Sequence, residues 1–242
     1  GPVRIVSLVP SVTELLAKWG LASRIAGRTA FCVEPRWIRN TVPSMGGTKD
    51  PDIPRILSQR PDLVVMERDE NTREAAEALA RAGVPLLVLE IRGVRDCLKA
   101  FRQLGEAVGL PEAGLERARA LEALLRPAPR RGPRTLVMVW KDPWIAAGPD
   151  TYVGDLARQA GFRPEGAPGY PRLDDGALEA LDPRVVLLPS EPYRFTARHR
   201  DALARALPRA QVRLVEGRAL TWYLSRTEEA LLQLRALFAE LP

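Results

Sequence analysis

The chain has 242 residues, 46% of them hydrophobic, with 36 basic and 30 acidic residues, a net charge of +6 and a pI of about 9.8. Such a composition can bury a core, and no uninterrupted apolar run approaches the ~18 residues that a membrane span needs. The length suits one large domain or two small ones.

The positive charge raises the question of nucleic acid. The basic residues are interleaved with acids, as in Glu116-Arg117-Ala118-Arg119, and the one dense cluster is Arg130-Arg131-Gly132-Pro133-Arg134. We therefore read a solvated arginine-rich surface and expect no nucleic-acid partner. Only Lys18, Lys49, Lys99 and Lys141 are lysines, which with 22 prolines fits a GC-rich genome. Val3–Leu8 already reads as a strand, so no signal peptide is visible. Gly1-Pro2 reads as a remnant of tag removal. An extracytoplasmic place is expected if a signal peptide was removed, and a cytoplasmic one is the alternative. Cys32 and Cys97 lack CxxC spacing; Cys97 is expected to pack as a small apolar group on a helix.

In chain order, a strand over Arg4–Leu8 is followed by Ser11-Val12-Thr13-Glu14, which reads as a capping box opening a helix that closes near Trp19-Gly20. A short strand (25–29) leads into the loop Ala30–Trp37, and a turn-rich loop spans Ser44–Pro51. Then come a helix (53–59), a β-branched strand (63–66), a helix (72–82), a buried strand (86–89) and a helix (94–108). From Pro111 to about Arg126, Leu115, Ala118, Leu121, Leu124 and Leu125 recur at three- and four-residue steps. This predicts a helix of roughly 24 Å, stopped by Pro127-Ala128-Pro129, which we read as a strut. Beyond it the alternation restarts: strand 135–140, turn 141–144, helices 152–160 and 173–181, strand 185–188, helix 197–207, strand 212–215 and helix 226–241.

The two halves resemble each other. Arg60-Pro61-Asp62-Leu63-Val64-Val65-Met66 matches Asp182-Pro183-Arg184-Val185-Val186-Leu187-Leu188, and Glu77–Ala82 matches Asp201–Ala206. Val88-Leu89-Glu90 matches Leu214-Val215-Glu216. Three blocks in register favour a duplicated lobe. The expected fold is α/β: two Rossmann-like lobes with parallel sheets, joined by one long α-helix. We place an N-terminal lobe at 1–93, a helical connector at 94–132 and a C-terminal lobe at 133–242, with a cleft where small ligands bind.

No GxSxG, HExxH, P-loop or GxGxxG occurs. The one histidine, His199, falls on a charged helix face and reads as solvated, so no catalytic triad or multi-histidine metal site is expected. Asp174-Asp175 reads as a helix cap. We expect no catalytic residues, no catalytic cofactor and no resident metal. What stands out is aromatic side chains at strand ends and in loops: Phe31 and Trp37, then Trp140, Trp144, Tyr170, Tyr193, Phe195, Trp222 and Tyr223. Trp19 reads as core. An aromatic-lined cleft suits a large flat ligand, with Arg194, Glu34 and Lys141 for polar fixing. Cys32 could touch a metal or be a structural thiol.

Arg4–Glu14, Pro61–Val64 and the strut resemble the substrate-binding proteins of vitamin B12, haem and iron-siderophore importers, the class III or helical-backbone periplasmic binding proteins. Phe31-Cys32-Val33-Glu34-Pro35, Gly46–Asp52, Pro189–Tyr193 and Trp222–Arg226 are similar to its cobalamin-binding subgroup. The resemblance implies a binding protein of an ABC importer, not an enzyme, whose ligand is cobalamin or a related metal chelate held between the lobes. It places ligand contacts at Phe31, Cys32, Glu34, Met45 and Gly46, and at Trp144, Tyr170 and Trp222, to which the aromatic-cleft reading adds Tyr193 and Arg194. It also implies docking on a permease through an acid on each lobe: Glu74 fits the first, and since Leu224 stands where the second is expected, that acid is either missing or moved to Glu228 or Glu229. A cytosolic chelate binder, or a two-lobed enzyme such as a metal chelatase, is the alternative.

Overall fold

The computed structural model describes residues 3–127 and 131–242. Gly1-Pro2, the end of the Pro127-Ala128-Pro129 stop and the first arginine of the basic cluster, Arg130, lie outside the described residues. The chain is mixed α/β and divides into two compact units, 1–91 with 95–123 and 92–94 with 124–242. The helices that the sequence sets apart as a connector thus fall with the first unit as far as Ala123.

The first unit runs β1 (Ile5–Ser7), α1 (Pro10–Lys18), a 3-10 turn (Ala22–Arg24), β2 (Ile25–Arg28), α2 (Ile38–Thr41), α3 (Ile53–Ser58), β3 (Leu63–Glu67), α4 (Arg73–Arg81), β4 (Leu86–Leu89), α5 (Asp96–Ala107) and α6 (Pro111–Leu124). Its four strands are parallel in the order β2-β1-β3-β4. Continuous apolar strands such as Leu63-Val64-Val65-Met66 need cover on both faces. On one face Val6, Leu8, Val64 and Met66 pack against Met45, Ile56, Ala75 and Leu79.

The expected capping box at Ser11 does not form. Pro10 takes the first helical position, Val9 is the N-cap, and no side chain caps the helix. Proline suits that position because its missing N–H is not needed there. The Thr13 hydroxyl instead lies against the Val9 carbonyl and Ser7 Oγ. Helix α6 starts at Pro111 as expected and stops at Leu124. Its buried face is Gly114, Ala118 and Leu121, while Leu115 and Leu124 are half-buried. Gly114 decides the packing: a Cβ there would sit 2.3 Å from the Phe101 carbonyl oxygen and 3.1 Å from Gly105 Cα. Two glycines let α5 and α6 cross at backbone distance, and the small residues on α6 follow from that.

The second unit runs β5 (Arg134–Trp140), β6 (Trp144–Ala146), α7 (Tyr152–Ala160), β7 (Arg163–Pro164), β8 (Arg172–Leu173), α8 (Asp175–Leu181), β9 (Val185–Pro189), α9 (Ala197–Ala206), β10 (Gln211–Val215), α10 (Gly217–Thr221) and α11 (Thr227–Glu240). β10, β9 and β5 are parallel. Beyond β5 the sheet departs from the expected parallel plan: β6 folds back antiparallel on β5, β8 pairs antiparallel with β6, and β7 joins the start of β5. The core gathers Leu136, Met138, Val186, Leu188, Leu178 and Leu203. Asp174 caps α8 as expected, accepting the Ala177 amide at 2.7 Å.

The internal repeat has a backbone counterpart. Arg60 and Asp182, the residues that open its first block, both adopt positive φ (50° and 44°), and each leads through a proline into a central strand, β3 or β9. β3-α4-β4 and β9-α9-β10 are then the same parallel crossover. No helix among the described residues is long and apolar enough to cross a membrane.

Candidate functional site

In parallel α/β sheets small ligands gather at the carboxyl ends of the strands. In the first unit that end carries the loops after β1, β2, β3 and β4. The loop after β2 and the Ser44–Pro51 loop, separate in sequence, are laid side by side. The Met45 amide donates to the Arg28 carbonyl at 2.6 Å, and the Ala30 amide donates to the Gly46 carbonyl at 2.8 Å. Phe31 lies over Gly47, its ring edge 3.9 Å from where a Cβ would stand, and remains 60% exposed. Gly46 takes φ +95°, a conformation that favours glycine. Glu34 is half-buried in the same loop, and Trp37 is exposed.

Arg28 holds these loops from beneath. It is 7% exposed, and its guanidinium donates to three backbone carbonyls: Nε to Val42 at 2.9 Å, Nη1 to Thr29 at 3.0 Å and Nη2 to Arg39 at 3.1 Å. Sequence reasoning missed this residue. An arginine at the end of a strand carries no signal that it will turn inward.

Two expected contacts are corrected. Cys32 is fully buried, and its sulfur is enclosed by Thr13 Oγ1 at 3.2 Å, Thr29 Oγ1 at 3.1 Å and the Thr29 amide at 3.4 Å. Burial pushes its thiol above the ordinary range, with the threonine hydrogen bonds opposing. It is a structural thiol. Met45 is also fully buried, within the core beneath β1 and β3. Its loop can face a ligand through Gly46 and Gly47, while its side chain points away.

A polar hub ties the neighbouring loops together. Asn71 accepts the Glu67 amide at 2.9 Å and donates to the Leu8 and Thr48 carbonyls. Glu67 accepts the amides of Asp69, Glu70 and Ile91. Burial raises the Glu67 carboxyl above its usual range despite these bonds. Glu70 is raised too, by burial and then by the charge of Glu67. A cavity of about 370 Å³ adjoins this hub, lined by Met66, Arg68, Asn71, Arg73, Val88 and Glu90 among others. None of the ten expected contacts lines it.

In the second unit the expected Trp144 and Tyr193 do come together, in a cluster that the sequence did not foresee as one. Trp144 stacks on Phe195 (centroids 6.2 Å apart, planes at 10°), Tyr193 packs on Phe195 at 4.7 Å, and Trp140 meets Tyr193 edge-on at 5.2 Å. Lys141 Nζ stands 5.1 Å above the Trp144 ring. Trp144 and Tyr193 are half-buried against the core, Trp140 is 43% exposed, and Arg194 is exposed. His199 is corrected as well: its ring packs edge-on against Tyr193 and Phe195, each at 5.6 Å, and its Nδ1 accepts the Thr196 amide at 3.0 Å. It caps α9 instead of lying on a solvated face. Tyr170 is 58% exposed beside β8, where the Gly148 amide donates to the Gly169 carbonyl at 2.7 Å.

Trp222 is corrected too. It is 8% exposed at the end of α10, with the Arg218 and Arg226 guanidinium carbons 5.4 and 5.6 Å from its ring. Its helix is locked to the Tyr193 loop. The Gly217 amide donates to Ser190 Oγ at 2.8 Å, and Arg218 pairs with Glu191 at 3.0 Å. Glu74 is exposed in the first turn of α4, and Glu229 in that of α11, where Glu228 is half-buried. Leu224, between α10 and α11, is fully buried with φ +63°. Among the described residues no group of three or more His, Cys, Asp or Glu is placed to hold a metal ion.

The family model for periplasmic binding proteins matches residues 5–204. The chain belongs to that family. Within it, the chain is 22% identical over 200 residues to the uncharacterised ABC transporter substrate-binding lipoprotein YvrC of Bacillus subtilis, covering 77% of this chain and 63% of that protein. It is 27% identical over 111 residues to the vitamin B12-binding protein of Pectobacterium carotovorum, covering 46% and 40%. The matched stretches thus span about two fifths to three fifths of these curated relatives. Family folds superpose over almost the whole chain. The apo haem-binding protein RhuT of Roseiflexus gives a TM-score of 0.82 at 22% identity, covering 98% of both chains. The vitamin B12 binding protein BtuF of Vibrio cholerae gives 0.82 at 18%, covering 98% of this chain and 96% of that one. The two-lobed fold of the family is therefore the fold of this chain.

Proposed function

We propose that this protein is the capture subunit of an ABC importer, binding cobalamin or a related metal chelate outside the cytoplasm and releasing it unchanged. The observation that carries the reading is the set of large aromatic faces kept in solvent by loops that the fold holds firmly. Phe31 lies over Gly47, Trp140 ends β5, and Tyr170 stands at the outer edge of the hairpin. Exposed aromatics held in this way suit the apolar face of a broad ring. Relatives named for vitamin B12 and haem give the ligand class.

In this reading the candidate contacts of the first unit are Phe31, Glu34 and the Gly46 loop. Those of the second unit, taken by itself, are Trp140, Trp144, Tyr170, Tyr193 and Arg194. Burying roughly 500 Å² of apolar ligand surface would contribute about 12 kcal/mol before ordering costs, enough for affinity below micromolar without covalent chemistry. Glu74, with Glu228 or Glu229, would meet basic residues of the permease. Both positions open helices, where a carboxylate is favoured, and Glu74 and Glu229 are exposed.

The test is gel filtration after incubation with cyanocobalamin and with haemin. Visible absorbance eluting with the protein, and chemically unaltered ligand recovered on denaturation, is the expected result. A converted ligand would point to catalysis, and absence of any coloured complex would remove the reading.

A further inference from the structure

We infer that the second unit carries a further binding site, at the amino ends of its strands, for a small organic anion: a body of about two fused rings bearing one carboxylate or like acid group. The inference stands whether or not the opposite end of the sheet binds a chelate.

β5, β9 and β10 are parallel, so their first residues share one end, the end away from Trp140 and the Tyr193 loop. A cavity of about 360 Å³ opens there, with Val185, Phe238 and Leu241 as its apolar side and Arg184, Arg209 and Gln211 as its polar side. An apolar cavity of ~150 Å³ takes one benzene ring, so the space suits a bicyclic body and not a pair of acyl chains. The apolar side is held firmly. Val185 is 2% exposed at the start of β9. Phe238, in the last turn of α11, meets Phe162 edge-on at 5.3 Å, and Gly161 lacks the Cβ that would stand 3.1 Å from its ring. Phe238 nevertheless stays 36% exposed. A ring packed on one side and open on the other offers a stacking surface.

The polar side carries charge in excess. Arginine stands at the start of three parallel strands of this sheet: Arg134 opens β5, Arg163 opens β7 and Arg184 precedes β9. The first two have carboxylates, Asp182 at 2.7 Å from Arg134 and Glu165 at 3.1 Å from Arg163. Arg209, just before β10, takes the other oxygen of Asp182, also at 2.7 Å. One carboxylate is therefore shared by two guanidiniums, and Arg184 is left over. Its amide donates to the Arg134 carbonyl and its carbonyl accepts the Gln211 amide, each at 2.8 Å. Its guanidinium has no hydrogen bond or ion pair among the described residues. Arg213 donates to the Gln211 side-chain oxygen at 3.2 Å, which leaves the Gln211 amide nitrogen as a further donor. Glu240, the acid at the end of α11, already faces Arg213 at 3.9 Å.

A guanidinium fork matches a carboxylate in bidentate fashion, and Arg184 and Arg209 rim the same cavity as the exposed ring. That pairing selects a molecule with charge and apolar body together. An inorganic anion would leave the ring wet, and a neutral arene would leave Arg184 without a counter-charge.

The experiment is equilibrium dialysis of the whole chain against 2-naphthoate, read by naphthoate fluorescence. The proteins are the wild type, Arg184→Gln, Phe238→Leu and the Phe31→Ala/Trp140→Ala double variant, each with a melting curve. Parallel arms use 2-naphthamide, inorganic phosphate and phosphatidylglycerol vesicles. The expected result is one naphthoate per chain, weakened about tenfold by Arg184→Gln, weakened less by Phe238→Leu and unchanged in the double variant. Naphthamide should bind about tenfold more weakly than naphthoate, and phosphate at equal concentration should not displace it. Arg184 is exposed, so Arg184→Gln should melt with the wild type, which separates lost binding from lost folding. No naphthoate retained at millimolar concentration, retention indifferent to Arg184→Gln, or retention lost in the double variant would each overturn the inference. Vesicles that capture the protein through Arg184, with no naphthoate retained, would give that arginine to a lipid headgroup and overturn it as well.

Discussion

In the first unit β1 lies between β2 and β3 with β4 outermost, and in the second β5 lies between a hairpin and β9 with β10 outermost. The shared half, β3-α4-β4 against β9-α9-β10, is the half where the sequence repeat is clearest. The halves diverge on the other side of the central strand. There the first unit lays the Ser44–Gly47 segment along β2 by backbone hydrogen bonds and pins it with Arg28. The second unit inserts β6 and β8 and holds them with stacked aromatics. One edge is therefore a polar, hydrogen-bonded construction and the other an apolar one. The comparison teaches that the two units share the crossover while their opposite edges are built by different physics.

The largest expected effect sharpens the contrast at a matched position. In the repeat, Gly217 follows Glu216 as Ile91 follows Glu90. The first unit accommodates a buried isoleucine there, whereas a Cβ on Gly217 would stand 2.3 Å from the Glu191 amide nitrogen, a backbone atom. Gly217→Ala should destabilise the second unit by about 3 kcal/mol, read as a lowered urea midpoint. Next, Trp144→Ala removes the ring stacked on Phe195 and should cost about 2 kcal/mol. Hydrogen exchange should quicken at β6 and β8 and stay unchanged at β2. Arg28→Met is the reciprocal cut. It strands three carbonyls, should cost about 2 kcal/mol, and should speed exchange at Ala30 and Met45 while sparing the hairpin. If either substitution loosened both edges equally, the contrast would be lost.

The smallest effect concerns Glu70, whose carboxyl is raised by burial and by the neighbouring charge of Glu67. A carboxyl raised in the folded state favours folding when protonated and loses that contribution as pH rises through its folded value. Glu70→Gln should therefore stabilise at pH 7, by about 0.5 kcal/mol. The gain should shrink as pH falls and vanish below the unfolded value near 4.5, as thermal melts across that range would record.

Much of the fold was legible because long, periodic segments dominate it. Tyr152–Ala160 and Leu86–Leu89 coincide with their expected spans. What escaped was short. β6 has three residues and β8 two, too few for an alternating pattern, so Trp144 read as part of a turn. Five-residue α10 was hidden likewise, although Glu216, which accepts the Arg218 and Ala219 amides, could have marked its start. The site was less legible because aromatic type and loop position do not report burial. Trp222 and Phe31 look alike in sequence, yet one lies beneath two arginines and the other stands in solvent. Cys32 was ambiguous for a similar reason, since Ser7 and Thr13, which enclose it together with the nearby Thr29, are distant in sequence.

The most direct test of the account is calorimetric titration of cyanocobalamin into the wild type, Phe31→Ala, Trp140→Ala and the double variant. The account predicts one ligand per chain with Kd below micromolar, weakened about tenfold by each single change and further by both. No heat of binding in the wild type, or an affinity untouched when both rings are gone, would contradict it.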